Sequence, residues 1–234
     1  MIKDPINKNI LVVLAHPDDE SFGMGGTLAK YADLGAQVIL LCATRGEAGI
    51  KGVRPEKAGQ IRELELKQAA NNLKIKVFFL DYVDGALSQL DTNDFAERIS
   101  IWIDAVDPGL IISFGPDGVS GHPDHVAVSK SVTWAVEHYF PEINLLYLVA
   151  SEATKFGCGV IESTHDSRQL ISVDISDFKL VKVKAIQSHK SQNTELTGIP
   201  EDEVEKIPCF ENFSIANTNE TQKEALMWFQ EKAK

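Results

Sequence analysis

The 234-residue chain has little cysteine, no excess of basic residues and no apolar run long enough to cross a bilayer. Its three cysteines, Cys42, Cys158 and Cys209, are odd in number and far apart, which argues against a disulfide framework and a cysteine-built zinc knuckle. Lys and Arg number 23 against 34 Asp and Glu, a formal charge of −11. A nucleic-acid partner is therefore not expected, because phosphate binding needs a basic stripe whose counterion release supplies affinity. The opening residues show no signal-peptide core, and no segment approaches the ~20 apolar residues of a membrane span. The expected setting is cytoplasmic, without a membrane partner. Internal repeats and low-complexity tracts are also missing, so the 44% hydrophobic content is available for a packed core.

What is present is an alternation of short β-branched runs with amphipathic stretches. Strands are predicted at residues 9–15, 37–42, 76–80, 109–114 and 144–149. Helices are predicted at about 25–34, 56–73, 93–106 and 123–139, the third stopped by Asp107-Pro108-Gly109. Such runs suit strands buried on both faces of a parallel sheet. The spacing predicts an α/β fold, a Rossmann-like doubly wound and mostly parallel sheet of order 3-2-1-4-5. A single domain, 1–234, is expected: a core over 1–150 and a less regular C-terminal extension over 151–234. In the extension, residues 151–167 read as a loop, 169–174 as a strand, 178–189 as a helix, 198–206 as an exposed loop or short helix, and 220–232 as a terminal helix.

Two segments concentrate chemistry directly behind predicted strands: Ala15-His-Pro-Asp-Asp-Glu20 and Gly121-His-Pro-Asp-His125. In the assumed strand order the first and fourth strands are neighbours, and their loops meet at the carboxyl-end crevice where the crossovers diverge. Imidazole with carboxylate suits a first-row divalent ion, and catalytic zinc takes three protein ligands and leaves a place for water. His16, Asp19 and one of His122 or His125 supply such a set. Pro17 turns the chain so that side chains three apart share a centre, and Pro123 suits the first turn of a helix with His122 at its N-cap. One His-Pro-Asp turn alone is commonly a capping device. Two converging ones are not, since buried acids and histidines at this density are unfavourable unless paired or metal-bound.

These paired motifs resemble the LmbE-like, or PIG-L, family of zinc-dependent N-deacetylases, including the deacetylases of bacillithiol and mycothiol biosynthesis. Weaker similarity extends to Ser21-Phe-Gly-Met-Gly-Gly-Thr-Leu-Ala29, Thr44-Arg-Gly-Glu-Ala-Gly49, Asp84-Gly-Ala-Leu87 and Ser188-His-Lys-Ser-Gln192. The resemblance implies one Zn2+ or another first-row divalent ion held by His16, Asp19 and His125. It implies Asp18 as general base, and His122, oriented by Asp124 and protonated, as stabiliser of the oxyanion. Metal binding brings the pKa of water from about 15.7 to about 7, so a weak carboxylate base can complete the deprotonation. The implied reaction removes an N-acetyl group from an N-acetylglucosamine-type substrate. The resemblance further implies a homo-oligomer, a hexamer in many relatives of this size.

Substrate contacts are expected from Arg45 and Glu47 in the loop after the second strand, and from Asp84 after the third. For His189 a solvated face shared with Lys182, Lys184 and Lys190 is the simpler reading, while the resemblance implies a place at the site's edge. His138 and His165 read as isolated surface or capping residues. Ser120 stands where mycothiol-type relatives carry tyrosine, so any contact from that phenol is absent or supplied elsewhere. Two other readings compete: an amidase of larger acyl or thiol-conjugate amides, and a non-catalytic carbohydrate- or nucleotide-binding module. The nucleotide reading is weakened because Leu28 occupies the third glycine position of G-x-G-x-x-G.

Overall fold

The computed structural model describes residues 8–149, 170–192, 200–217 and 223–234. Their elements are β1 (Ile10–Leu14), α1 (Asp19–Asp33), β2 (Val38–Thr44), α2 (Pro55–Leu73), β3 (Lys76–Tyr82), α3 (Thr92–Val106) and β4 (Leu110–Phe114). They continue as α4 (Pro123–Tyr139), β5 (Asn144–Val149), β6 (Leu170–Asp174), α5 (Lys179–Ser188), β7 (Phe210–Asn217) and α6 (Lys223–Lys232). One seven-stranded sheet runs β3-β2-β1-β4-β5-β7-β6, so the α/β class and the order of the first five strands are as expected. Those five are parallel, with Val12 opposite Leu40 on one side and Ile112 on the other.

Every residue of β1, β2 and β4 is buried, because helices cover both faces. Helices α1, α2 and α5 pack together, as do α3 and α4. At the edge, β3 alternates between exposed and half-buried positions apart from the buried Leu80. A left-handed C-cap at Asp107 (φ 47°) ends α3 where the sequence placed a stop, and Asp91 caps the start of that helix by accepting from Asn93 N at 2.8 Å.

Beyond β5 the structure departs from expectation. β7, which the pattern did not predict, pairs antiparallel with β5 on one side and β6 on the other. Its inward residues are Glu211, Phe213 and Ile215; a carboxylate at the first breaks the apolar alternation that would mark a strand. Residues 201–206 form a 3-10 helix, whereas the expected loop at 151–167, including Cys158 and His165, lies outside the described residues.

Helix α1 begins at Asp19, six residues before its expected start, and breaks at Met24 (φ −147°, ψ 21°). The break is filled by a buried ion pair: Lys182 Nζ donates to Phe22 O at 2.9 Å, and Glu211 accepts from Gly26 N at 3.1 Å and Thr27 N at 2.7 Å. Lys182 is therefore not on a solvated face, as the sequence suggested; it is 1% exposed and bonded to Glu211. The glycines of this segment serve packing, since a Cβ on Gly26 would lie 2.6 Å from Ile175 Cδ1 and one on Gly23 2.6 Å from Leu148 Cδ2.

Candidate metal centre

The loops after β1 and β4 meet at the carboxyl ends of neighbouring strands and line a cavity of about 450 Å³ with His16, Asp18, Asp19, His122 and His125. The β1 loop turns at Pro17 and enters α1 through Asp18, whose backbone is left-handed (φ 106°, ψ −30°). This turn folds Asp19 back so that its Oδ2 accepts the His16 N–H at 2.8 Å. In the β4 loop, His122 occupies the N-cap of α4 and its Nδ1 accepts the Asp124 N–H at 3.2 Å. His125, one turn along, stacks on Phe114 with ring centroids 4.1 Å apart.

The hydrogen bonds fix which ring nitrogens face the centre. His125 Nδ1 donates to Gly118 O at 3.0 Å, leaving Nε2 as a lone pair. His16 Nε2 donates toward Asp84 Oδ1 at 3.1 Å and Asp124 Oδ2 at 3.2 Å, leaving Nδ1 as a lone pair. Those two bare nitrogens face each other at 3.2 Å, with Asp19 Oδ1 3.2 Å from His125 Nε2 and Asp19 Oδ2 3.7 Å from His16 Nδ1. Three converging acceptors repel unless a positive charge lies among them. Tetrahedral zinc with bonds near 2.0–2.1 Å has donor-to-donor edges of about 3.3 Å, so this set fits such an ion. The donor atoms of His16, His122 and His125 also lie within 4.8 Å of one another, as do those of His16, Asp84 and Asp124. The latter group engages His16 through the other ring nitrogen and holds the ligand rather than the centre.

The same surplus of acceptors sets the titration of the site. Burial disfavours charge on His16, but its hydrogen bonds to Asp124 and Asp84 and the charge of Asp19 outweigh it and push the ring up to about 10, so the Nδ1 lone pair takes up a positive charge, for which a proton and a metal ion compete. Asp19 is likewise opposed by burial yet held well below the carboxylate range by His125 and His16. Asp18 moves the other way: burial pushes it up to about 7, with Arg62 pulling it down. His122 is lowered by burial and by the neighbouring His16 and His125.

Asp124 differs from expectation. Its Oδ2 accepts from Gly85 N at 2.7 Å and from His16, its Oδ1 from Leu87 N at 3.1 Å; it orients His16, and only its backbone touches the His122 ring. Asp84 lines the cavity, its Oδ2 accepting from Ala48 N at 2.9 Å. Arg45 and Glu47 are not in that wall: both line a separate hollow with Glu63 and Asp81. Arg45 pairs with Glu63, reaches Asp81 at 2.7 Å and lies 4.5 Å over Phe79, while Glu47 Oε1 accepts the Asp84 N–H at 2.9 Å. His189 is fully buried behind the cavity and bonded to Glu20 at 2.8 Å. His138 is an exposed residue bonded to Trp134 O.

Arg62, which the sequence pattern did not single out, is 4% exposed and lines the cavity. Its Nη2 donates to Asp18 Oδ2 at 2.8 Å and to Pro17 O, and its Nη1 to Gly46 O at 3.3 Å. A signal existed: Arg62 sits in the buried α2 stripe Ala58, Arg62, Leu66, Ala69, Leu73, where an arginine needs a reason.

Among the described residues no helix is long and apolar enough to cross a membrane. Residues 11–136 match the family model PIG-L, GlcNAc-PI de-N-acetylase. The chain is 38% identical over 194 residues to a probable N-acetyl-alpha-D-glucosaminyl L-malate deacetylase 2 of Bacillus cereus, covering 80% of this chain and 84% of that protein. It is 34% identical over 161 residues to a 1D-myo-inositol 2-acetamido-2-deoxy-alpha-D-glucopyranoside deacetylase of Kineococcus radiotolerans, spanning 55% of this chain but 45% of that one. The solved N,N'-diacetylchitobiose deacetylase of Pyrococcus horikoshii shares the fold, with TM-score 0.65, 23% identity and coverage of 89% and 84% of the two chains. The chain is an enzyme and belongs to the PIG-L, or LmbE-like, family, whose members hydrolyse N-acetyl amides.

Proposed function

We propose that the enzyme is a zinc-dependent hydrolase that removes the acetyl group from a 2-acetamido sugar of the N-acetylglucosamine type. The observation that carries this reading is the meeting of His16 Nδ1, His125 Nε2 and the Asp19 carboxylate beside the Asp18 carboxylate in one cavity. The three related deacetylases differ in the rest of the substrate but share the acetamido sugar in their names. A cavity of about 450 Å³ lies within the roughly 300–1,000 Å³ usual for small-molecule sites.

His16, Asp19 and His125 would hold the ion, which when bound acidifies water and polarises the amide carbonyl. Asp18 takes the proton of the attacking water on its carboxylate, which Arg62 holds in place through Oδ2. His122 accepts a backbone N–H at Nδ1, so its neutral tautomer carries the proton on Nε2 and can hold the oxyanion through a hydrogen bond from that N–H. This replaces the expected protonated imidazole with a neutral donor, in keeping with its lowered pKa. The Asp18 carboxyl then returns its proton to the departing amine, giving acetate and a free amino sugar. Asp84 is the candidate contact for sugar hydroxyls, being at the cavity wall.

The test is acetate release from N-acetylglucosamine and its malate, inositol and oligomeric derivatives, with elemental analysis of the same protein. Asp18→Ala should keep its metal and lose at least about 100-fold in turnover, as expected for a general base. Near-wild-type turnover by that variant sinks the assignment, and faster cleavage of bulky acyl groups than of acetyl favours the amidase reading.

A further inference from the structure

Behind the cavity wall, Glu20 and His189 form a fully buried pair that the reaction above does not use. Glu20 Oε1 accepts from His189 Nε2 at 2.8 Å and from Ser21 Oγ, and its Oε2 accepts the Asp18 N–H at 3.0 Å. Neither Glu20 nor His189 reaches the cavity, whereas Asp18 does. The residue they hold is the strained one: Asp18 has φ 106°, a region that side-chain-bearing residues enter only when the surroundings over-determine it. His189 comes from the far end of the chain, just after α5, and is itself pinned to α2. Asn72 Nδ2 donates to Ser188 Oγ at 3.1 Å, and Glu65 accepts from Ser191 N at 2.8 Å and Ser191 Oγ at 2.6 Å.

A buried acid and imidazole are weak evidence of stability, since apolar residues of the same volume often do as well. What an apolar pair could not do is grip the Asp18 N–H. We propose that Glu20 and His189 are a positioning pair: His189 orients the Glu20 carboxylate, whose second oxygen fixes the strained Asp18 peptide and thereby aims the Asp18 side chain into the cavity. The proposal rests on reading Asp18 as the base. It reassigns His189 from a solvated face or the site's edge to a group that acts through another residue.

The test compares His189→Leu and His189→Gln, each alone and in the Asp18→Ala background, by steady-state acetate release and by elemental analysis. Gln can still donate to Glu20; Leu cannot. His189→Leu should lower kcat by about 10- to 100-fold, the scale of a misaimed reacting group, with KM within about twofold and metal content unchanged. His189→Gln should recover most of that loss. In the Asp18→Ala background the Leu substitution should change the remaining rate by less than about twofold, because the two act as one unit. A wild-type kcat in His189→Leu, or the same fold-loss with and without Asp18, overturns the proposal. Should Leu prevent folding, His189→Asn, polar but too short to reach Glu20, takes its place in each comparison, with the same losses expected and the same results overturning the proposal. Asp18→Ala alone separates the two readings: if it retains turnover the base assignment falls, whatever His189 does.

Discussion

Lys182 and Glu211 meet at 2.5 Å, each 1% exposed, inside the break of α1, and together satisfy a carbonyl and two N–H groups that the break would orphan. The pair ties α5 and β7, both from the last third of the chain, to the helix whose first turn carries Asp19. Lys182→Met leaves the Glu211 charge buried with its two backbone donors and should cost about 3–5 kcal/mol. Glu211→Leu should cost more, because it strands the ammonium and orphans Gly26 N and Thr27 N as well. The double variant should stay below wild type, since those two N–H groups remain unmet. Urea unfolding of the three variants checks the order; full recovery in the double variant contradicts the capping role.

Asp84 and Asp124 share one N–H, that of His16 Nε2, and so set which nitrogen His16 offers the centre. Asp124→Asn and Asp84→Asn should each weaken metal binding by about 10- to 100-fold, the usual effect of losing a group that orients a metal-bound histidine. Asp124→Asn should be the more severe, because it disturbs acceptance from two backbone groups, Gly85 N and Leu87 N, where Asp84→Asn disturbs only that from Ala48 N. Competition against a chelator of known affinity measures this, and unchanged affinity in both variants refutes the orienting role.

The sequence showed the parts of this molecule that follow a period and missed those in which a polar residue occupies an apolar position. Strands β1, β2 and β4 are unbroken buried runs, apolar but for Thr44 and Ser113, and the strand order they imply is enough to bring both His-Pro-Asp motifs to one crevice. Arg62 in α2, Lys182 in α5 and Glu211 in β7 were missed for one reason: each stands in a buried stripe, and charge alone assigns it to the surface. Partner choice was equally invisible. Asp124 lies two residues from His122, yet its carboxylate reaches His16 and the backbone of residues 85 and 87, a choice set by the packing of α4 against the loop after β3.

His189 also predicts how stability depends on pH. Burial opposes its charge, but the Glu20 carboxylate outweighs burial and raises its pKa above the ordinary 6.5. A raised folded pKa stabilises fully below the unfolded value and is lost as pH climbs through the folded one. The stability advantage of wild type over His189→Gln should therefore be greatest near pH 6, roughly one half-unit under the ordinary value, and shrink on the alkaline side. Urea midpoints for both proteins across that range decide it; a gap that widens with pH would mean the ring is folded neutral.

Gly49 leaves the room that Arg62 occupies. A Cβ there would overlap the guanidinium at Nη1 and lie 3.2 Å from Gly46 O, and because Gly49 is not among the positive-φ residues, alanine needs no left-handed backbone. Gly49→Ala should push the guanidinium away from Asp18 Oδ2 and the Pro17 carbonyl, its two partners behind the base. Since a displacement of about 1 Å can cost on the order of 100-fold in rate, a fall in kcat/KM of about 10- to 100-fold is expected. Metal content should not change, as Arg62 touches none of His16, Asp19 and His125. Arg62→Met should fall at least as far, and adding Gly49→Ala to it should cost little more, because the methyl then meets no guanidinium. Independent, multiplicative losses in the double variant would show that Gly49 acts on the loop itself rather than through Arg62.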